Sequence, residues 1–158
     1  MRLGYPCCMV AAESDFDLIF AALANGRVRY LIVGGVAVVL HGVPRFTADL
    51  DLVLDLTPAN ITATLQVLGD LAYRPRAPVA LLDFADASKR REWIQQKSLT
   101  VLGLWSPEHP ATEIDLFVEE PFPFEEALAR ASHVDLGTNT VVVASIAYSG
   151  GIWAGIPA

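Results

Sequence analysis

The chain has 158 residues, of which 53% are hydrophobic and only 18% carry a charged side chain. This size and composition suit one domain with ample core material, and they exclude a disordered chain, a collagen-like chain and a long coiled coil. The formal net charge of −7 argues against a surface that coats nucleic acid. Seven of the eleven basic residues nevertheless lie between Arg45 and Lys97, where a local basic rim can hold a phosphate-rich ligand.

The uncharged stretches of the sequence do not predict a membrane-spanning helix, because glycine and proline interrupt them. The apolar patch near the N-terminus is too short for the core of a signal peptide. We therefore expect a cytoplasmic protein that does not enter a membrane. Cys7 and Cys8 are adjacent, which fits reduced thiols on a loose arm better than a disulfide or a zinc site.

The spacing of apolar residues predicts alternating helices and strands. Helices are predicted where apolar residues recur at helical spacing behind a capping residue, and strands where apolar runs are short or alternate with polar residues. In chain order the predictions are a helix over 14–26 capped by Ser14, a strand over 29–33, a short helix over 36–40, a strand over 50–54, a helix beginning at Thr57-Pro58, a helical turn over 80–84, a helix over 88–97 capped by Ser88, strands over 99–105 and 113–118, a helix over 124–131, and a hairpin of 134–136 with 140–143.

This mixture predicts an α/β (α+β) domain, with a mixed β-sheet and helices packed against it. We place a loose N-terminal arm at 1–13, the domain at 14–144 and an uncharged C-terminal tail at 145–158.

Two carboxylates, Asp49 and Asp51, stand two residues apart on a predicted strand, so their side chains leave the same face. Two anions this close repel each other, and a partly buried pair shifts a pKa or recruits a cation. Magnesium takes oxygen ligands and usually keeps waters and substrate phosphates. The pair therefore predicts half of a magnesium site, with a solvated strand edge as the alternative.

Gly34 and Gly35 directly follow a predicted buried strand and precede a short helix. Glycines in this position let the backbone approach a phosphate closely, beside the unpaired N–H groups of a helix start. The segment is neither a Walker loop nor a dinucleotide fingerprint, because the further residues of those motifs are missing. A simple tight turn is the alternative interpretation.

Asp115 stands in a predicted strand in which it shares a face with Glu113, while Ile114 and Leu116 take the other face. If this strand pairs beside that of Asp51, about 4.8 Å away, Asp115 completes a cluster of three carboxylates. Such a cluster can hold two divalent cations roughly 3.5–4 Å apart and stabilise a phosphoryl displacement.

Together these motifs resemble the DNA polymerase β-like nucleotidyltransferase superfamily, and within it the AbiEii-type toxins and their minimal relatives. The resemblance is carried by Gly34-Gly35, Ala37, His41-Gly42, Arg45, Thr47, Asp49 and Asp51. It implies a nucleotidyltransferase fold and an enzyme that transfers a nucleoside monophosphate from a nucleoside triphosphate to a hydroxyl, with release of pyrophosphate. The implied cofactor is Mg²⁺, as two ions, and the implied acceptors are RNA, including tRNA, or a partner protein, in a toxin–antitoxin system.

The resemblance also implies a role for each matching residue. Asp49 and Asp51 correspond to the paired metal ligands. Asp115 corresponds to the third carboxylate, which serves as metal ligand and as base for the attacking hydroxyl. Gly34 and Gly35 correspond to the loop that holds the triphosphate.

Three further residues are candidates for nucleotide binding. Arg45 can grip a phosphate, or instead form a salt bridge to Asp49 or Asp55. Thr47 can orient Asp49, or simply begin the strand. Lys97, at the end of a predicted helix, can reach incoming phosphates.

A non-catalytic protein that uses the same fold for interaction, such as an antitoxin, is the alternative function. The charge of −7 and the uncharged tail both suit a partner surface. The sequence leaves the nucleotide, the acceptor and the oligomeric state open, a homo-oligomer included.

Overall fold

A computed structural model of the chain describes residues 14–43 and 47–148. The predicted arm at 1–13 with its two cysteines, Arg45, and residues 149–158 of the predicted tail lie outside the described residues.

Except for one short strand at Arg74–Pro75, the helices and strands follow the predicted order. The helices are α1 (Asp15–Asn25), α2 (Gly34–Leu40), α3 (Pro58–Asp70), α4 (Ala87–Lys97) and α5 (Phe124–Ala129), with a 3₁₀ helix at Leu81–Ala85. The strands are β1 (Tyr30–Val33), β2 (Asp49–Leu54), β3 (Arg74–Pro75), β4 (Val101–Trp105), β5 (Glu113–Phe117), β6 (Ser132–Asp135) and β7 (Thr140–Val143).

Within the described residues, seven strands form one mixed sheet in the order β3-β4-β5-β2-β1-β7-β6. β2 runs parallel to β5 and antiparallel to β1, while β4 runs antiparallel to both β3 and β5. β6 and β7 form the predicted hairpin, and β7 pairs in parallel with β1. Since β2 and β5 lie side by side at the centre, residues that are 64 positions apart in sequence become direct neighbours.

The two faces of the sheet are covered unequally. Helices α1 to α4 and the 3₁₀ helix cover one face, where Leu50, Leu52 and Leu116 are fully buried. On the opposite face, the short helix α5 packs Phe124 and Ala127 against one part of the sheet. The acidic ends of β2 and β5 lie on this second face, beyond the part that α5 covers.

Local hydrogen bonds explain where two helices begin. Ser14 caps α1, as the sequence predicts. Its hydroxyl accepts from the backbone of Asp17, and the Asp17 carboxylate accepts in return, which completes a capping box. The prediction that Ser88 caps α4 is wrong, because the carboxylate of Asp86 accepts from the backbone N–H of Ser88 and Lys89. An acidic cap two residues earlier accepts the same free N–H groups.

Two polar side chains make hydrogen bonds to backbone carbonyls outside their own helices. Arg90 is buried and donates to the carbonyl of Phe84 at 2.5 Å. His41 makes a 2.8 Å hydrogen bond from Nε2 to the carbonyl of Ala144. This bond ties the end of α2 to the chain just after β7.

No helix among residues 14–43 and 47–148 is both long and apolar enough to cross a membrane.

Candidate functional site

The central feature of the candidate site is the parallel pairing of β2 with β5. Asp49 lies opposite Glu113, and Asp51 lies opposite Asp115. The intervening leucine and isoleucine residues are buried on the far face, so the four acidic side chains share the face that α5 leaves open. The strands that carry Asp51 and Asp115 therefore pair as the sequence analysis considered.

Asp115 lies in the most perturbed environment of the site. Burial raises the pKa of its carboxyl group, and the charges of Asp49 and Glu113 raise that pKa further. The charge of Arg76 and a hydrogen bond with the side chain of Asp51 act in the opposite direction. Because Asp51 and Asp115 lie opposite each other on paired strands, the two carboxylates form a pair that a bound cation would stabilise.

Gly34 holds the backbone directly against this pair. Its φ of 69° lies in the left-handed region, which suits glycine. A Cβ atom on residue 34 would stand 2.9 Å from Cγ of Asp51 and closer still to its Oδ2. The chain at the start of α2 therefore reaches the Asp51 carboxylate only because residue 34 has no side chain.

Gly35 makes the next close approach, toward Thr47. A Cβ atom on residue 35 would stand 2.8 Å from Oγ1 of Thr47. The Thr47 hydroxyl donates to the backbone carbonyl of Asp49 at 3.3 Å. This hydrogen bond stabilises the start of β2 and does not involve the Asp49 carboxylate. Val33 caps α2 without a side-chain hydrogen bond, so no side chain of the cap satisfies the first N–H groups of the helix.

The other two predicted nucleotide-binding residues are Arg45, which lies outside the described residues, and Lys97. Lys97 is exposed at the end of α4, and the chain enters β4 just after Thr100. The carbonyl of Thr100 accepts from the N–H of Val118, which directly follows the C-terminal end of β5. Glu113 lies at the other end of β5, so the structure does not bring Lys97 beside the carboxylates.

Sequence reasoning missed Arg76. Its backbone N–H donates to the carbonyl of Gly103 at 2.9 Å, and its guanidinium forms an ion pair with Glu113. Gly103 pairs with Asp115 across β4 and β5, and a Cβ atom on Gly103 would stand 3.2 Å from Oδ1 of Asp115 and 3.8 Å from Cδ of Arg76. A cation beside an acidic cluster is invisible in the sequence, because residues 76 and 113 lie 37 positions apart.

The carboxylates can supply part of the coordination shell of a magnesium ion. Among the described residues, no group of three or more His, Cys, Asp or Glu side chains is arranged to hold a metal ion by itself. The described residues therefore do not form the expected cluster of three carboxylates, since Asp51 and Asp115 lie opposite each other while Asp49 is exposed at the first position of β2. Mg²⁺ usually takes only one or two carboxylates together with waters and substrate phosphates, and the pair supplies that donor set.

The fold resembles that of a Thermotoga maritima protein known from its crystal structure and described as a candidate nucleotidyltransferase. The TM-score is 0.55, the sequences are 13% identical, and the match covers 88% of this chain and 80% of that chain. The chain has a nucleotidyltransferase-like fold. At this identity the likeness concerns the fold alone, and it does not extend to the narrower AbiEii type. No family model matches the sequence, and no curated protein matches it.

Proposed function

We propose that the protein is a magnesium-dependent nucleotidyltransferase. It transfers a nucleoside monophosphate from a nucleoside triphosphate to a hydroxyl group of an RNA or a protein and releases pyrophosphate. One observation carries the proposal: Asp51 and Asp115 meet on paired strands, and Gly34 brings the backbone against the Asp51 carboxylate.

Asp51 and Asp115 are the residues that would hold magnesium, with Asp49 as a third donor. When bound, the ion supplies charge neutralisation for the phosphates and for the oxygens that attack and leave. We assign the β- and γ-phosphates to the backbone of Gly34 and Gly35, because the lack of side chains there lets this backbone lie directly beside the proposed metal ligand Asp51.

Asp115 has the environment of a general base. The acceptor oxygen forms a bond to the α-phosphorus, the bond from that phosphorus to the pyrophosphate oxygen breaks, and the hydroxyl proton passes to the Asp115 carboxylate. Burial and neighbouring negative charge raise the pKa of Asp115, which makes its carboxylate a better proton acceptor. Asp51 and Asp49 act as metal ligands in this assignment.

The proposal is tested by incubating the protein with Mg²⁺, α-³²P-labelled nucleoside triphosphates, and either total RNA or cell protein. The wild-type protein is expected to label one of the two pools, and Asp51→Asn is expected to reduce labelling by at least a hundredfold. Asp70→Asn is the matched control, since Asp70 is exposed at the end of α3, accepts from Gln66, and lies far along the chain from the site. Equal labelling by wild type and Asp51→Asn contradicts the proposal.

A further inference from the structure

A row of residues crosses the sheet at the level of the carboxylates. Gly34 follows Val33, which pairs with Asp51; Asp51 pairs with Asp115; and Asp115 pairs with Gly103. Arg76 completes the row through its backbone hydrogen bond to Gly103. Adjacent strands are about 4.8 Å apart, so the glycine turn and Arg76 lie at opposite ends of a row with the carboxylates between them.

The proposed reaction gives this row a direction. In a phosphoryl transfer the attacking and leaving oxygens lie roughly in line on opposite sides of the phosphorus. If pyrophosphate leaves toward Gly34 and Gly35, the acceptor hydroxyl approaches from the far side of Asp115. That side is the region of Gly103 and Arg76.

The side chains on this acceptor side form a distinct surface. Arg74 pairs with Trp105 across β3 and β4, and Trp105 stands two residues from Gly103 on the same face. Arg74 and Arg76 are exposed, and Trp105 is 39% exposed, one of the few large hydrophobic side chains in the described residues that face solvent. We call Arg74, Arg76 and Trp105 the edge patch.

We propose that the edge patch binds the end of a single-stranded nucleic acid and presents its terminal hydroxyl to Asp115. Arginine pairs with phosphate through a planar fork of donors, and an exposed tryptophan offers a face on which a base of any sequence stacks. This combination of cation and aromatic is typical of surfaces that bind single strands. The inference rests on the proposed function for the direction of attack, and it selects nucleic acid over protein as the acceptor.

The ion pair of Arg76 with Glu113 is compatible with this role. The two side chains are 55% and 39% exposed. Solvent screens a pair this exposed, so its net contribution is small and a phosphate can replace Glu113 as the partner of Arg76. In the free protein Arg76 lies over Gly103, where its Cδ is 3.8 Å from the position of a Cβ atom on residue 103, beside the carboxylate that accepts the proton.

Binding is measured without any nucleoside triphosphate, by fluorescence anisotropy of dye-labelled single-stranded RNA and DNA oligonucleotides of eight nucleotides in Mg²⁺ buffer. Trp105→Leu is expected to weaken binding about tenfold, because one stacked base is lost, and Trp105→Tyr is expected to restore most of the affinity. The logarithm of the association constant falls linearly with the logarithm of the salt concentration. Arg74→Gln and Arg76→Gln are each expected to reduce the steepness of that fall by about 0.7, the value for one phosphate contact to a single strand. Arg91→Gln, on the exposed surface of α4, is the matched control and is expected to bind as the wild type does.

The outcomes separate this inference from the proposed function. Patch-dependent binding of RNA or DNA supports the edge patch, and a preference for RNA identifies the 2′-hydroxyl as part of the contact. Labelling of a protein acceptor without oligonucleotide binding overturns the edge patch and leaves the proposed function standing. Wild-type affinity in every patch variant, at unchanged melting temperature, also overturns it. In a transfer assay, Trp105→Leu is expected to raise the KM for the oligonucleotide with little change in kcat.

Discussion

The carboxylate of Asp51 occupies the space in which a side chain on residue 34 would begin. Residue 34 lies at the end of β1 and Asp51 on the adjacent strand β2, so the contact joins the predicted phosphate loop to the predicted metal ligand. A side chain on residue 34 would therefore displace the Asp51 carboxylate.

Gly34→Ala is expected to abolish transfer and to lower the free energy of unfolding by about 1–3 kcal/mol, the cost of holding a non-glycine residue in a sparsely populated conformation. The added methyl group also displaces the Asp51 carboxylate. The two effects are measured by labelled transfer and by urea denaturation. Gly69→Ala is the matched control, because a Cβ atom there meets nothing within 4 Å. It is expected to raise stability by about 0.5 kcal/mol, and a Gly34→Ala protein with wild-type stability and transfer would contradict the close contact.

Asp115→Asn is expected to stabilise the protein at pH 7 when metal is removed with EDTA. Burial, and then the charges of Asp49 and Glu113, raise the pKa of Asp115 above its ordinary value of 3.8. The folded state therefore holds the proton of Asp115 more tightly than the unfolded state does. The associated stability is fully present below pH 3.8 and is lost as the pH rises through the raised pKa.

This linkage gives the variant a definite pH dependence. Its melting temperature at pH 7 is expected to exceed that of the wild type, because the variant carries no charge at this position. The difference is expected to shrink as the pH falls toward 3.8. A variant that is less stable than the wild type at pH 7 would show that Asp115 is not held in an unfavourable charged state.

Asp86→Ala is expected to lower the melting temperature at pH 7, whereas Ser88→Ala is expected to leave it unchanged. The carboxylate of Asp86 accepts two backbone N–H groups of α4, from Ser88 at 2.7 Å and from Lys89 at 3.4 Å. These hydrogen bonds lower the pKa of Asp86, so the stability that it contributes is present above pH 3.8 and is lost as the pH falls through the lowered pKa. Thermal melts between pH 2 and pH 7 test this, and a larger effect of Ser88→Ala would restore Ser88 as the cap.

The elements of the fold could be predicted because their determinants are local. Ser14 and Asp17 lie three residues apart and cap a helix whose apolar residues repeat at helical spacing. The alternation of aspartate and leucine in β2 indicates which face holds the carboxylates. Patterns of this kind depend only on neighbouring residues.

The missed features depend on contacts between distant residues. Arg76 reaches Glu113 only because β4 lies between β3 and β5 and carries a glycine at the crossing point. Arg90 is buried against Phe84 because the 3₁₀ helix packs against α4. The sequence alone does not indicate this burial, because a run of basic residues on a helix is typical of exposed charge. The sequence indicated that Asp51 and Asp115 could lie on neighbouring strands, as they do, but it contained no signal for the cation beside them.

The most direct test of the central claim is calorimetric titration of an α,β-methylene nucleoside triphosphate analogue into the protein, with and without Mg²⁺. The wild type and Asp70→Asn are expected to bind the analogue only when Mg²⁺ is present. Asp51→Asn is expected to lose at least 1.4 kcal/mol of binding free energy, a tenfold change in affinity. Binding that is equally tight in EDTA, or equally tight in Asp51→Asn, would contradict the claim that these carboxylates hold a cation against the nucleotide.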